Sequence, residues 1–153
     1  MRGLELRIPP LALVLLAALL MWLISVLTSS ARLYLPGSGL AATAVAICGS
    51  LICLAGVAQF RRSRTTVNPM TPEASSALVT HGIYRFTRNP MYLGFAIILL
   101  GWMIFLENPL TLAVVLAFVL YINRFQIEPE ERALESTFGA EFKAYKLKTR
   151  RWI

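Results

Sequence analysis

Four stretches without a charged side chain dominate this chain: residues 8–27, 39–60, 91–106 and 110–123. An uncharged run of about 20 residues, rising about 1.5 Å per residue as a helix, crosses a hydrocarbon core of roughly 30 Å. Inside hydrocarbon every backbone amide must be paired within the protein, so such runs fold as helices. The sequence predicts an all-α integral membrane protein that forms a single domain over residues 1–153. Its four transmembrane helices are expected at about residues 8–28, 39–60, 91–106 and 109–125, with a cytoplasmic amphipathic helix at about 128–146. The last two spans are short, so a tight hairpin about Glu107-Asn108-Pro109 is expected, tilted or locally thinning the bilayer. The first run competes with a cleaved signal peptide, since Arg2 and Arg7 precede it and Ser29-Ser30-Ala31 offers a cleavage site. Its apolar length and the spans that follow favour a retained helix.

Composition agrees: 57% hydrophobic and 15% charged residues, with a mean hydropathy of +0.64, is too apolar for an ordinary soluble domain. A net charge of +7 admits nucleic acid as a partner, but the placement of the charges argues against it. Of 15 Lys and Arg residues, only Arg32 lies in the first loop, and none lies in the hairpin turn. The other 14 fall before the first span, between the second and third, or after the fourth. By the positive-inside rule those segments, with both termini, are cytoplasmic. The basic excess then reports orientation and contact with anionic lipid, in a bacterial or archaeal plasma membrane. Between the second and third spans, residues 65–76 with Asn68, Pro69 and Pro72 read as an irregular connection. Ala42, Ala46, Gly49, Cys53 and Gly56 recur at helical steps in the second span, a face that lets another helix approach closely. Cys48 and Cys53 point to different faces, so neither a disulfide nor a metal site is expected between them.

Two polar stretches interrupt this pattern. The first, LVTHGIYRFTRNPMYLG over residues 78–94, places Tyr84, Arg85, Arg88, Asn89 and Tyr92 where the chain enters lipid. Charge and hydrogen-bonding capacity at that boundary are costly unless paired or wet, which marks a candidate site. The second is the tail, residues 128–152. Glu128, Glu130 and Glu131 open a helix with an apolar stripe of Leu134, Phe138, Phe142 and Tyr145, and basic residues load its far end. Trp152 is placed to anchor at the interface.

The pairing of LVTHGIYRFTRNPMYLG with EPEERALESTFGAEFKAYKLKTRRW around one apolar hairpin resembles the isoprenylcysteine carboxyl methyltransferase family and the similar phospholipid methyltransferases. The likeness covers about residues 77–152, half of the chain. It implies an integral-membrane, all-helical methyltransferase that uses S-adenosylmethionine, with S-adenosylhomocysteine as product, and no metal. Carried over residue by residue, Leu78, Val79 and Tyr84 match positions lining the cofactor pocket, with His81 between them. Asn89, Pro90, Met91 and Tyr92 occupy the family's Arg-His-Pro-x-Tyr element, with Arg88 kept and the His replaced by Asn89. Glu130 and Glu131 match the paired glutamates that hold the cofactor. Gln126 stands where the isoprenylcysteine enzymes carry an arginine for the substrate carboxylate. Arg124 lies two residues earlier, roughly on the opposite helix face.

Methyl transfer from a sulfonium is an in-line displacement, in which the protein supplies alignment and dehydration. A cationic donor is favoured near Glu130, Glu131 and the faces of Tyr84 or Tyr92. Arg88, with Arg124 and Gln126 as further candidate substrate contacts, can orient an acceptor carboxylate through a forked pair. An amine, thiol or hydroxyl acceptor must lose a proton, with Glu128, Glu131 or His81 as candidate bases. The expected acceptor is a small lipophilic or lipid-attached molecule entering from the bilayer at the cytoplasmic face. Two other readings carry different expectations: a relative of the NADPH-dependent sterol-type reductases, and a non-catalytic four-helix membrane adaptor or half-transporter.

Overall fold

The computed structural model of the protein describes residues 5–63 and 77–153. The expected irregular connection at residues 65–76 lies outside them. Five α-helices make up the fold: α1 (Pro10–Leu27), α2 (Ser38–Arg62), α3 (Pro90–Leu106), α4 (Leu112–Ile122) and α5 (Glu128–Lys148). Among the described residues there is no strand. Three helical stretches are long and apolar enough to cross a membrane: α1, α2 and the continuous run Pro109–Lys148. The fourth apolar helix, α3, has 17 residues, about 25 Å at helical rise.

Proline starts two of these helices. Pro10 and Pro90 sit in the first turns of α1 and α3, where their missing N–H is no loss. Glu107, in the left-handed conformation (φ 52°), ends α3, and its carbonyl accepts from Leu33 N–H at 2.8 Å. Asn108 caps the next turn by accepting from Leu110 N–H and donates to Thr28 Oγ1 at 2.8 Å. The first loop and the α3–α4 turn are therefore laced together at one end of the bundle. Residues 5–9, 78–90 and 123–153 gather at the other.

The core lies where α3 packs against α1 and α4, around Met21, Leu99, Val115, Phe118 and Ile122. Trp102 crosses to α1 by donating to Ala18 O at 3.1 Å. By contrast α2 packs mainly along α3, through the small-residue face the sequence predicts. A Cβ on Gly49 would sit 2.6 Å from the Gly94 carbonyl oxygen, and one on Gly101 would sit 3.0 Å from that of Ala42. The backbones touch there because nothing larger than glycine stands between them.

The apolar helix α4 does not end before Glu128, where the sequence reading expects a break. A π-helical turn, Asn123–Ile127, carries α4 straight into α5. Pro129 has no N–H for the carbonyl of Phe125 one turn back, and Leu6 N–H takes that carbonyl at 3.0 Å instead. Gln126 donates to Ile8 O at 2.7 Å from the same turn. The N-terminal segment thus replaces the bond that proline removes, and the helix continues. It breaks further on, at Gly139 (φ 50°, ψ −116°), a conformation suited to glycine. The amphipathic stripe is divided there: Phe142 and Tyr145 beyond the break are buried, while Leu134 and Phe138 before it are half-buried.

The α2–α3 contact generates a prediction. Gly94→Leu drives a branched side chain into Cys53 and the Gly49 backbone. It should destabilise the protein by about 1–3 kcal/mol or more, read as a lowered unfolding temperature in detergent. Gly39→Leu, with open space around its Cβ position, should leave that temperature nearly unchanged.

Candidate active site

The boundary stretch opens with Val79 buried and passes through a 3₁₀ turn, Gly82–Arg85. That turn buries Tyr84 edge-on against Phe60 of α2, with ring centroids 5.2 Å apart. Tyr145 of α5 holds it from the other side by donating to Tyr84 O at 2.7 Å. The Tyr84 hydroxyl is itself buried, with no partner among the described residues. One turn into α3, Tyr92 is buried, and its hydroxyl donates to the Glu130 carboxyl of α5. Two tyrosines and one carboxyl from three separate elements therefore meet at the base of α3.

The neighbouring glutamate lies in a different environment. Glu131 Oε1 accepts from Arg88 Nη2 at 2.8 Å and Nε at 3.2 Å. Arg151 reaches the same carboxylate from the chain end, Nη2 to Oε2 at 2.6 Å and Nε to Oε1 at 3.3 Å. Arg88 also donates through Nη1 to the carbonyl oxygens of Thr149 and Lys146. Asn89 Nδ2 donates to Arg151 O at 2.9 Å, Thr87 Oγ1 to the same oxygen at 3.2 Å, and Arg88 N–H to Arg150 O at 3.0 Å. Residues 149–152 thus form a strap tied along the base of α3. It ends with Trp152 donating to Asn123 Oδ1 of the π turn at 3.1 Å, which fixes the indole on protein instead of leaving it as a free interfacial anchor.

These surroundings separate the two carboxyls electrostatically. Burial pushes Glu130 up to about 8, with the negative field of Glu131 adding and the Tyr92 hydrogen bond opposing. At Glu131 burial also acts upward, but the Arg151 and Arg88 guanidiniums outweigh it and hold the group below the usual carboxylate range. The Tyr84 phenol is pushed up by burial, then by Tyr145 and Glu130. At neutral pH the arrangement offers one protonated carboxyl and one locked carboxylate, side by side.

Other expected site residues lie elsewhere. Arg124 pairs with Glu128 at 2.9 Å and lies 3.6 Å from Glu5, so neither Arg124 nor Glu128 joins the Tyr92–Glu130 pair. Gln126 is fully buried, its amide N on Ile8 O and its amide O without a partner among the described residues. His81 is exposed, and Leu78 is half-buried. Pro90 starts α3, and Met91 O accepts from the Cys53 thiol at 3.2 Å. The Arg88 fork, expected to receive an acceptor carboxylate, is engaged with Glu131 and the strap. Sequence reasoning missed the strap itself, because Arg88 and Asn89 meet it mainly through backbone carbonyls, which no residue pattern announces. Among the described residues no group of three or more His, Cys, Asp or Glu could hold a metal ion.

Residues 38–141, more than half of the chain, match the family model described as phospholipid methyltransferase. The chain belongs to that family. It is a family of methyltransferases, and the resemblance read from the two polar stretches falls within it. An uncharacterized protein of Haemophilus influenzae is 51% identical over 63 residues, 41% of this chain and all of that one. A probable protein-S-isoprenylcysteine O-methyltransferase of Oryza sativa subsp. indica is 38% identical over 102 residues, 65% of this chain and 52% of that protein. The protein-S-isoprenylcysteine O-methyltransferase of Saccharomyces cerevisiae is 40% identical over 79 residues, 50% of this chain and 32% of that protein. The chain therefore spans about half the length, or less, of these isoprenylcysteine relatives. No solved structure matches. The matched family segment includes Tyr84, Arg88, Tyr92 and both glutamates and stops before the strap.

The raised Glu130 carboxyl gives a stability prediction. Its folded value near 8 lies above an unfolded value of about 4.3, so its contribution is full below about pH 4.3 and is lost as pH rises toward 8. Glu130→Gln, which cannot ionise, should unfold at a temperature close to wild type at pH 5 and a few degrees above it at pH 8. Melting curves across that range, with ligand absent, check it.

Proposed function

We propose that this protein transfers a methyl group from S-adenosylmethionine to a small lipophilic or lipid-attached acceptor at the cytoplasmic face of the membrane. The observation that carries the reading is the Tyr92–Glu130 pair beside the unpartnered Tyr84 hydroxyl, at the end of an apolar helix, in a chain of this family. A sulfonium is a cation with little hydrogen-bonding capacity, and a carboxylate beside aromatic rings is chemistry that suits it. Tyr84, Tyr92 and Glu130 would hold that part of the donor. A cavity of about 530 Å³ adjoins Tyr145. Arg85 and Lys148 on its wall offer positive charge, and Glu141 negative charge, to the donor's zwitterionic amino-acid end. When bound, the donor supplies an electrophilic methyl group.

Glu130 loses its proton as positive charge arrives, because a neighbouring cation lowers a carboxyl pKa. The buried tyrosines exclude water from that carboxylate, which strengthens its attraction. Arg88 sets the base of α3 against α5 through Glu131 and the strap, and so fixes the distance between Tyr92 and Glu130. An acceptor arriving from the bilayer meets this layer at the first turn of α3. A carboxylate acceptor needs no base there. An amine, thiol or hydroxyl does, and an ionised Glu130 is the carboxylate nearest the donor site in this reading.

The same reading takes α1, α2, α3 and the 109–125 segment as four spans, with both termini cytoplasmic. The lacing of the first loop to the α3–α4 turn supports it, since spans that begin and end together share their sides of the membrane. Reporters fused after Ile153 and inserted at Asn68 should both report cytoplasm, and one at Ser38 the opposite side. Ser38 and Asn68 on one side would overturn this topology.

Binding tests the site. S-adenosylmethionine carries the sulfonium and S-adenosylhomocysteine does not, while their amino-acid ends are alike. The ratio of their affinities, measured by calorimetry, should rise in favour of the cation from pH 6 to pH 8 and then level off, as Glu130 ionises more readily. In Glu130→Gln the ratio should be flat and the cation bound about ten- to a hundredfold more weakly. Equal, pH-independent affinity in both proteins would remove Glu130 from the donor site.

A further inference from the structure

Two adjacent glutamates stand on one helix and are held differently: among the described residues Glu130 accepts a side-chain hydrogen bond from Tyr92 alone, and Glu131 from two guanidiniums. Both oxygens of Glu131 are occupied: Oε1 by Arg88 and by Arg151 Nε, and Oε2 by Arg151 Nη2. The Arg151 contact is a forked, two-oxygen pair, the geometry in which a guanidinium binds carboxylate most firmly. Arg151 also presents its carbonyl oxygen to Asn89 Nδ2 and Thr87 Oγ1, so one residue grips both α5 and the turn that starts α3. Those two elements carry Glu130 and Tyr92. Arg151 lies beyond the matched family segment, which ends at residue 141.

We infer that Arg151 is a positioning residue: its fork on Glu131 and its carbonyl on Asn89 hold α5 against α3 so that Tyr92 and Glu130 meet, leaving Glu130 as the single ligand-facing carboxylate. This inference rests on the methyl-donor reading for its ligand, but its central pairing is independent of any ligand. Arg88 alone does not suffice. It donates to only one oxygen of Glu131, and its third nitrogen is turned to the carbonyls of Lys146 and Thr149, which the strap must itself bring into place. A strap freed from Glu131 withdraws those carbonyls as well, and the base of α3 loses both attachments together.

The division of roles follows from hydrogen-bond capacity. A carboxylate accepting four charged donors has little left for a ligand hydroxyl or ammonium, and releasing one guanidinium in a half-buried layer leaves that charge unpaired. Glu131 therefore anchors while Glu130 binds. The two positions should respond differently to the same isosteric change, although the residues are neighbours.

The experiment uses the full chain in detergent and four variants: Arg151→Met, Arg151→Lys, Glu131→Gln and the double variant Arg151→Met/Glu131→Gln. Unfolding temperature without ligand reads the pairing. Each single change should lower it, and the double change should lower it by clearly less than the two combined. Calorimetric S-adenosylmethionine affinity reads the positioning. Arg151→Met should weaken it on the order of tenfold, and Arg151→Lys should recover part of the loss by restoring charge without the planar fork. In Arg151→Met the pH dependence that Glu130 confers should remain, because Glu130 is still present, whereas Glu130→Gln abolishes it. A merely structural Arg151 predicts lowered unfolding temperatures with wild-type affinity at temperatures where every variant is folded, and that result overturns the inference. Additive temperature shifts overturn the pairing. A wild-type protein that binds no S-adenosylmethionine overturns the methyl-donor reading and the positioning role with it, while coupled temperature shifts would still uphold the Arg151–Glu131 pair.

Discussion

Glu131 is held between two guanidiniums, and the end of this bundle at the base of α3 is organised around that carboxylate. Arg88 comes from the loop that precedes α3, Arg151 from the chain end, and Glu131 from the helix between them. An ion triad of this kind is half-buried, so removing one member leaves charge poorly compensated. Every other contact at the site depends on its geometry. Asn89 and Thr87 find the Arg151 carbonyl, Arg88 finds those of Lys146 and Thr149, and Tyr92 finds Glu130, only because the strap, α3 and α5 are already in register.

The triad would be of little use on a helix that stopped at the membrane surface. Pro129 would be expected to begin a new helix, yet α4 and α5 are continuous through a π turn. Such turns place an extra residue in the helix and leave carbonyls free of their usual partners. Here the free carbonyl of Phe125 is taken by Leu6, and Ile8 receives the Gln126 amide. The N-terminal segment therefore locks the rotation of α5 about its axis. Glu130 and Glu131 point to the base of α3, and Glu128, two residues earlier, turns to Arg124 on the other side.

What was legible in the sequence was local and periodic. The uncharged runs announce helices because hydrocarbon forbids alternatives, and the step of Ala42, Gly49 and Gly56 announces a close-packed face because backbone approach needs small side chains. The boundary cluster announced itself through the cost of placing Arg88 and Asn89 beside lipid. What those residues touch was not legible. Arg88 meets Glu131 across 43 positions, and Asn89 meets the Arg151 carbonyl across 62. Half of that network ends on backbone oxygen, which every residue carries. The break at Gly139 was hidden for a different reason, since the stripe continues across it and periodicity alone reads one helix.

On the proposed methyl-donor reading, the two glutamates divide between them what a single carboxylate would have to do alone. A cationic ligand in a low-dielectric layer needs a nearby negative charge, yet a bare carboxylate waiting there is costly to desolvate. Glu131 meets the need for a permanent charge but only by being fully engaged, so it anchors the helices and offers nothing further. Glu130 is kept mostly protonated by the same burial and by its neighbour's field, so it waits at little electrostatic cost. On the proposed reading it gives up that proton as the cationic donor arrives, and the net charge of the layer is the same before and after. Proton release in exchange for a cation is thus, on the same methyl-donor reading, the form of binding that the buried Glu130 carboxyl favours, with the charge of Glu131 beside it adding to the effect.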